Sequence, residues 1–270
     1  MVTGQGQGRH HAGTDVLGPD LAAGWNGLYR VGAAAALVAA IVFRRNLGSE
    51  YVLLRSMGLF SSGPMVAPAA AADWFALFGD SPFLGLVLMN VFDVVNYALV
   101  GVIYLALCGA LRRVNPGAMV LAAAMGLVGV TVYFASNRAI AMLTLSRRYA
   151  AATTEALRAA SLAAGEAQLA VSNPGDMYAG AGDYLALFLV TMAGLIIAVA
   201  MRRSEAFRGA TAWTGILAHA TMLCLFPAVL AAPAIAFLPP SLSALFLLAW
   251  YVLCGVRLLR LGREGDRMPA

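Results

Sequence analysis

Four polar side chains interrupt an apolar segment that is long enough to cross a lipid bilayer. The segment covers residues 83–111; its strongly polar side chains are Asn90, Asp93 and Asn96, and Tyr97 follows at the same spacing. An ionised carboxyl group within hydrocarbon costs about 2.5–3.5 kcal/mol on insertion scales. Asp93 therefore needs a partner or a function, and it is the first place to look for a site.

The spacing of these four residues places them on one face of a helix, because positions three and four apart are neighbours. Such a face must turn towards protein or water. The tight turn near residues 114–115 makes the segments before and after it antiparallel neighbours. Asp93 lies about 21 residues before that turn and Arg138 about 23 after it, so both lie roughly 30–35 Å from it. We expect Asp93 and Arg138 to meet, with Asn137 beside them and Asp183 able to join them.

Two interpretations of this cluster remain open. In the first, Asp93 and Arg138 form an ion pair that fixes helix packing. In the second, the cluster lines a polar pocket near the outer face, with Asp93 as acid, base or cation ligand. A close Arg138 would hold Asp93 in its charged form, which argues for binding or structure over proton transfer.

His219 is a further candidate, because it lies in the middle of a later apolar segment. A lone buried histidine in a helical bundle is more often an interhelical hydrogen-bonding group than a ligand. No second histidine or carboxylate lies at metal-ligand spacing, so we predict neither a metal nor a cofactor. The catalytic candidates are Asp93, Tyr97 and His219. The ligand-binding candidates are Asn90, Asp93, Asn96, Asn137, Arg138 and Asp183.

The composition places the chain in a membrane. Of 270 residues, 61% are hydrophobic and 11% are charged, and the mean hydropathy is +0.79. A soluble domain is about 25% charged. All 18 basic residues are arginine, which excludes Schiff-base chemistry on lysine. The arginines fall in pairs at the ends of apolar segments, as membrane anchors do, so we reject nucleic acid as a partner.

The apolar segments predict an all-α integral membrane bundle of about six transmembrane helices, formed by residues 25–258. The predicted spans are 28–43, 83–111, 118–145, 184–201, 212–230 and 241–256. Two longer connections, 46–82 and 146–183, lie outside, and the aromatic residues of 67–79 suit an interfacial helix. We expect residues 1–24 to be a disordered tail and residues 259–270 a basic tail.

The distribution of arginine predicts the orientation. Placing both termini in the cytoplasm assigns eleven arginines to that side and seven to the other, as the positive-inside rule favours. Arg44 and Arg45 do not fit this assignment, because they would lie just outside the first span.

Three short motifs resemble a bacterial membrane family. They are Phe43-Arg44-Arg45-Asn46-Leu47-Gly48, Leu105-Ala106-Leu107 leading to Leu111-Arg112-Arg113-Val114, and Tyr133-Phe134-Ala135-Ser136-Asn137. The family is known as domain of unknown function 4386, and the resemblance covers about residues 25–260. It implies a multi-span helical protein of the bacterial plasma membrane and brings no assigned activity.

The sequence leaves three functions open. We expect an accessory or binding protein whose partners are membrane lipids or a small lipophilic ligand, of undetermined oligomeric state. An intramembrane enzyme acting on a lipidic substrate through Asp93, with Tyr97, Asn137 or His219, is the alternative. A transporter is the weakest, because the sequence shows neither an internal repeat nor paired broken helices.

Overall fold

The described part of the chain is built from α-helices and contains no strand. The computed structural model describes residues 19–46, 68–174 and 180–264. In chain order the helices are α1 Pro19–Asn46, α2 Ala71–Asp80, α3 Pro82–Leu88, α4 Val91–Leu111, α5 Pro116–Ser136, α6 Ala139–Ala151, α7 Glu155–Val171, α8 Ala181–Met201, α9 Ala210–Leu223, α10 Leu225–Ala231 and α11 Leu238–Glu264. A 3-10 turn at Pro233–Ile235 precedes α11.

Six segments of the described chain are long and apolar enough to cross a membrane. They are Trp25–Val42, Val91–Leu111, Pro116–Ala151, Ala181–Met201, Ala210–Ala231 and Pro233–Glu264. Their mean hydropathies lie between 1.4 and 2.4. The chain is therefore an all-α, multi-pass membrane bundle, as its composition predicted.

The α4–α5 hairpin forms as predicted, because the turn between the helices has the residues that start a helix. The side chain of Asn115 caps α5 by accepting from the amide of Ala118 at 3.1 Å. Pro116 occupies the first turn, where a missing amide proton is harmless. The two long apolar helices are thereby antiparallel neighbours.

Two glycines allow α5 to approach α8 closely. A Cβ atom at Gly129 would lie 3.0 Å from the carbonyl oxygen of Ala186 and 2.8 Å from Val190, both on α8. A Cβ atom at Gly126 would lie 2.9 Å from the ring of Tyr104 on α4. Gly126 and Gly129 are therefore small-residue packing positions between neighbouring helices.

One end of the bundle collects arginine and tryptophan. The Arg112 guanidinium lies 4.1 Å from the ring centre of Trp25 and donates to the hydroxyl of Tyr29 at 2.9 Å. Arg202 lies 4.8 Å from the ring centre of Trp213. Such pairs are suited to a membrane–water interface. We call this the basic end.

The start of the first helix, α1, and the end of the last helix, α11, both lie at the basic end. A Cβ atom at Gly262, near the end of α11, would lie 3.0 Å from the side chain of Arg30, near the start of α1. The first and last helices are therefore antiparallel, and the end of α1 that carries Arg44 and Arg45 lies at the opposite end. Arg44 and Arg45 therefore still disagree with the orientation that the other arginines favour.

Helices α2, α6 and α7 form a second cluster beside the spans. The aromatic residues predicted to lie at the membrane interface, Trp74, Phe75 and Phe78, are 0%, 4% and 2% exposed. They pack against residues such as Met142 and Leu169. Residues 71–80 do form a helix, but their aromatic face is buried in protein. The predicted helix is therefore present, and these side chains pack it against the protein.

Several predicted boundaries shift. Helix α1 begins at Pro19, within the predicted tail of residues 1–24, and α11 extends to Glu264, within the predicted tail of residues 259–270. Pro227 lies in the short helix that follows the interruption of the fifth span. It has no amide proton to donate one turn back, and α9 ends at Leu223. The predicted tail portions at 1–18 and 265–270 lie outside the described residues.

Candidate functional site

The polar residues of the second span lie on two helices. The predicted span 83–111 is divided at Met89 and Asn90, where Asn90 adopts a left-handed conformation with φ of 59°. Asparagine tolerates this conformation better than most residues. Asn90 therefore precedes α4 and does not share a helical face with Asp93. The expectation of one four-residue face is wrong for Asn90.

The new helix start explains part of how Asp93 is tolerated. Because α4 begins at Val91, Asp93 lies in its first turn, and Asp183 occupies the same position in α8. A carboxylate is stabilised there by the exposed amide groups and the helix dipole, by typically 0.3–1 kcal/mol. This contribution is not visible in the sequence, where residues 83–111 form one continuous apolar segment.

A small polar chamber lies where α3 meets α4 and α5 meets α6. We call it the vestibule; its volume is about 80 Å³. The residues lining it are Met89, Asn90, Tyr133, Asn137, Arg138, Ser172, Pro174 and Asp183. Four of the predicted ligand-binding candidates are therefore brought together here, namely Asn90, Asn137, Arg138 and Asp183.

Asn137 connects the two helix interruptions. Its side-chain amide donates to the carbonyl oxygens of Met89 at 3.3 Å and Asn90 at 3.4 Å, and its oxygen accepts from the amide of Ala139 at 3.1 Å. It thus satisfies backbone groups at both breaks. Both interruptions lie about one membrane thickness from the turn at Asn115, at the far ends of α4 and α5, so neither divides a span at its middle.

Arg138 and Asp183 share the vestibule without forming an ion pair with each other in the described chain. Arg138 Nη1 donates to the carbonyl of Ala135 at 3.4 Å, while its Nε is buried and has no partner among the described residues. Ser172 donates to Asp183 Oδ2 at 2.7 Å. The vestibule therefore presents two opposite charges, each held by its own neighbours.

The ion pair expected between Asp93 and Arg138 is not among the contacts of the described chain. Arg138 lines the vestibule, whereas Asp93 lines a second cavity deeper in the bundle. The similar distances of Asp93 and Arg138 from the turn correctly predicted the hairpin. They could not show that the break at Asn90 directs the two charged residues into different chambers.

The interior cavity lies between α4, α8, α9 and α11 and has a volume of about 190 Å³. Its lining residues are Asp93, Asn96, Tyr97, Val100, Tyr104, Leu187, Val190, Thr191, His219, Met222, Ser243, Leu247 and Tyr251. A cavity of about 150 Å³ accommodates a benzene ring in other proteins. The predicted candidates Asp93, Asn96, Tyr97 and His219 thus meet around a space of ligand size.

His219 is buried in the wall of this cavity, with 5% of its surface exposed. Its ring lies edge-on to Trp250, with the ring centres 5.1 Å apart and the planes at 88°. Its Nε2 is buried and makes no hydrogen bond within the described residues. The expected interhelical hydrogen bond is therefore not made by this nitrogen.

Gly194 provides the space in which His219 meets Tyr104. A Cβ atom at Gly194 would collide with the imidazole of His219 and the hydroxyl of Tyr104. The Tyr104 hydroxyl donates to the carbonyl of Val190 at 3.0 Å, so its oxygen presents an acceptor to the cavity. Asn96 is 8% exposed, and its side-chain oxygen is buried without a partner in the described chain.

Sequence analysis missed several polar residues of the cavity. Tyr104 follows Tyr97 by two helical turns, so extending the polar face of α4 would have found it. Thr191 and Ser243 carry no such signal, because each is a single small polar residue in an apolar helix. Ser243 also uses its hydroxyl proton to bond the carbonyl of Ala218 at 2.7 Å.

A stacked pair of tyrosines separates the two chambers. Tyr97 lines the interior cavity and Tyr133 lines the vestibule. Their ring centres are 3.8 Å apart and their planes differ by 4°. The pair therefore forms a wall common to both chambers.

No cluster of three metal-binding side chains occurs in residues 19–46, 68–174 and 180–264. Comparison of the chain with protein-family models, with curated proteins and with solved structures finds no match. The site must be interpreted from its own geometry.

Proposed function

We propose that this protein binds a small, mostly apolar molecule in its interior cavity. The observation that carries the proposal is that two buried polar atoms, His219 Nε2 and Asn96 Oδ1, border one cavity and have no partner in the described chain. Leaving one such atom unsatisfied costs about 1–3 kcal/mol. A bound molecule that satisfies both would recover that cost.

The cavity defines the class of ligand. The amide oxygen of Asn96 is an acceptor and needs a hydroxyl or N–H donor. The remaining surface is largely apolar and aromatic, with residues such as Val100, Leu187 and Met222. The volume of about 190 Å³ suits a molecule slightly larger than one six-membered ring. We therefore propose a ring-sized lipophilic alcohol, phenol or amide.

A pair of matched probes tests this proposal. Phenol and benzene have similar size, but only phenol has a hydroxyl donor. Phenol should raise the melting temperature of the detergent-purified protein more than benzene does. The Asn96→Leu and His219→Leu variants should lose this difference. Thr131→Val is the control, because the Thr131 hydroxyl bonds the carbonyl of Leu127 in its own helix, on an exposed surface. Equal stabilisation by both probes, or loss of the phenol effect in Thr131→Val, would contradict the proposal.

The setting in the cell is part of the same proposal. We propose a bacterial plasma-membrane protein, related to the domain family 4386, with membrane lipids as neighbours and both termini cytoplasmic. The excess of arginine at the basic end supports this orientation. Single cysteines replacing Asn115 and Ala160, in a chain without its native cysteines, should be labelled differently in intact cells. A membrane-impermeant thiol reagent should reach position 160 and not position 115.

An enzymatic role is the second candidate, and it is favoured by the presence of Asp93, Tyr97 and His219 around one cavity. A carboxylate and an imidazole are the usual groups for general acid–base catalysis. Conversion of a lipidic substrate by the purified protein, abolished by Asp93→Asn with the fold retained, would favour this candidate. Recovery of a chemically unchanged ligand from the purified protein would favour a binding role over an enzymatic one.

Transport is the third and weakest candidate, because the interruptions at Asn90 and Asn137 lie at the ends of full-length helices, whereas transporter sites use helices broken near the membrane midplane. Flux of a bound ligand across proteoliposomes, in excess of protein-free vesicles, would support transport.

A further inference from the structure

We propose that the vestibule is a separate binding site for a small zwitterion with a primary ammonium and a phosphate or carboxylate. The inference goes beyond the interior cavity and does not depend on what occupies it. It rests on the presence of Arg138 and Asp183 in the lining of one chamber of about 80 Å³, without an ion pair between them in the described chain.

The arginine provides the anion-binding half of the site. Arg138 has a buried Nε without a partner in the described chain, and Nη1 makes a long bond of 3.4 Å to a carbonyl. A guanidinium presents its N–H groups as a planar fork that matches a carboxylate or phosphate. The donors of Arg138 are therefore not used fully by the protein that surrounds them.

Asp183 provides the cation-binding half. Ser172 donates to one carboxylate oxygen, Oδ2, at 2.7 Å and fixes the orientation of the group. An ammonium with N–H donors would bind the remaining acceptor positions. A quaternary ammonium instead prefers a cage of aromatic faces, and Tyr133 is the aromatic residue of the described lining. The chemistry thus favours a primary amine.

Arg138 and Asp183 line one chamber without pairing, which leaves room for a ligand between them. Attraction between unlike charges increases as water is excluded, yet Arg138 and Asp183 do not close onto each other in the described chain. The volume of the vestibule admits about five to eight water-sized groups, at roughly 10–15 Å³ each. Glycine or phosphoethanolamine is of this size. Such a ligand would satisfy both charges at once.

The same chemistry could come from a lipid headgroup or from a soluble molecule, and the test separates the two. Native mass spectrometry would measure retention of phosphatidylethanolamine, phosphatidylcholine and phosphatidylglycerol by the full chain. Isothermal titration would measure binding of free phosphoethanolamine and glycine. We expect at least tenfold tighter binding of the primary-ammonium zwitterion than of its choline or glycerol counterpart.

Charge-removing variants test the two halves. Arg138→Gln and Asp183→Asn should each weaken binding at least tenfold. Ser172→Ala keeps both charges and should weaken binding about threefold or more by loosening Asp183. Arg147→Gln is the matched control, because Arg147 is exposed on α6 outside the vestibule. Monodispersity and the melting temperature without ligand establish that each variant is folded. If a charge-removing variant does not fold, Ser172→Ala tests the site in its place.

The outcomes are distinguishable from those of the interior cavity, which is probed with phenol. Preference for phosphatidylethanolamine alone assigns the site to a lipid headgroup, and binding of free phosphoethanolamine or glycine assigns it to a soluble zwitterion. Equal retention of phosphatidylglycerol, or binding that Asp183→Asn leaves unchanged, would overturn the proposal, because the carboxylate would then have no role.

Discussion

Replacing His219 with leucine should stabilise the unliganded protein and abolish ligand binding. Leucine is similar in volume to histidine and has no polar atom. The substitution removes the buried Nε2, which has no partner in the described chain, and such an atom costs about 1–3 kcal/mol. Most substitutions at a position that is 5% exposed destabilise a protein, so the expected sign is diagnostic.

The net magnitude follows from what the histidine ring also contributes. The substitution loses the edge-to-face contact with Trp250, which is 5.1 Å away between ring centres and worth about 0.5–1.5 kcal/mol. The midpoints of these two ranges, about 2 kcal/mol and about 1 kcal/mol, leave a gain of about 1 kcal/mol. At roughly 2–4 °C per kcal/mol for a chain of this size, the melting temperature should rise by about 2–4 °C.

The assay is thermal unfolding of the purified protein in detergent, after exhaustive washing to remove lipophilic molecules. Asn96→Leu should also raise the melting temperature, because Asn96 Oδ1 is likewise buried without a hydrogen-bond partner in the described chain. Thr131→Val should change the melting temperature little. A fall of several degrees in His219→Leu would refute the reasoning, since it would mean that Nε2 is satisfied in the empty protein and that His219 is structural.

Three further predictions concern the vestibule and its wall. Asn137→Leu removes two hydrogen bonds to backbone carbonyls at the helix interruptions and should destabilise the protein by about 1–3 kcal/mol in thermal unfolding; no loss would mean that these breaks are held elsewhere. Tyr133→Ala removes half of the stacked wall and should accelerate phenol association, measured by stopped flow, whereas an unchanged rate would place the entrance elsewhere. Asp93→Asn and Arg138→Gln should be additive to within about 0.5 kcal/mol in a double-mutant cycle, and rescue by the second substitution would restore the ion-pair interpretation.

The sequence predicted the architecture well because a membrane span depends on the local composition of about 20 consecutive residues. Six apolar segments and the Asn115-Pro116 turn are local signals, and each appears in the fold. The sequence also identified Asp93 and His219, since polar residues in apolar helices are costly. The three-dimensional arrangement could not be derived in the same way.

The division of the polar residues into two chambers depends on one backbone angle. The left-handed conformation of Asn90 moves it off the face of α4. An asparagine within an apolar segment does not by itself predict that the helix is interrupted there. The burial of Trp74 was missed for a similar reason. Its environment is set by α6 and α7, which lie more than sixty residues away in sequence. The environments of Asn90 and Trp74 depend on contacts between segments that are distant in the chain, and a single sequence does not reveal such contacts.

The most direct test of the central claim is to identify what the interior cavity holds. Mass spectrometry of small molecules extracted from purified wild-type protein should be compared with the same analysis of the Asn96→Leu, His219→Leu double variant. We expect a ring-sized molecule with a hydroxyl or N–H donor, in near-stoichiometric amount in wild type and strongly depleted in the double variant. Recovery of no such molecule from wild type, or equal recovery from both proteins, would contradict the account.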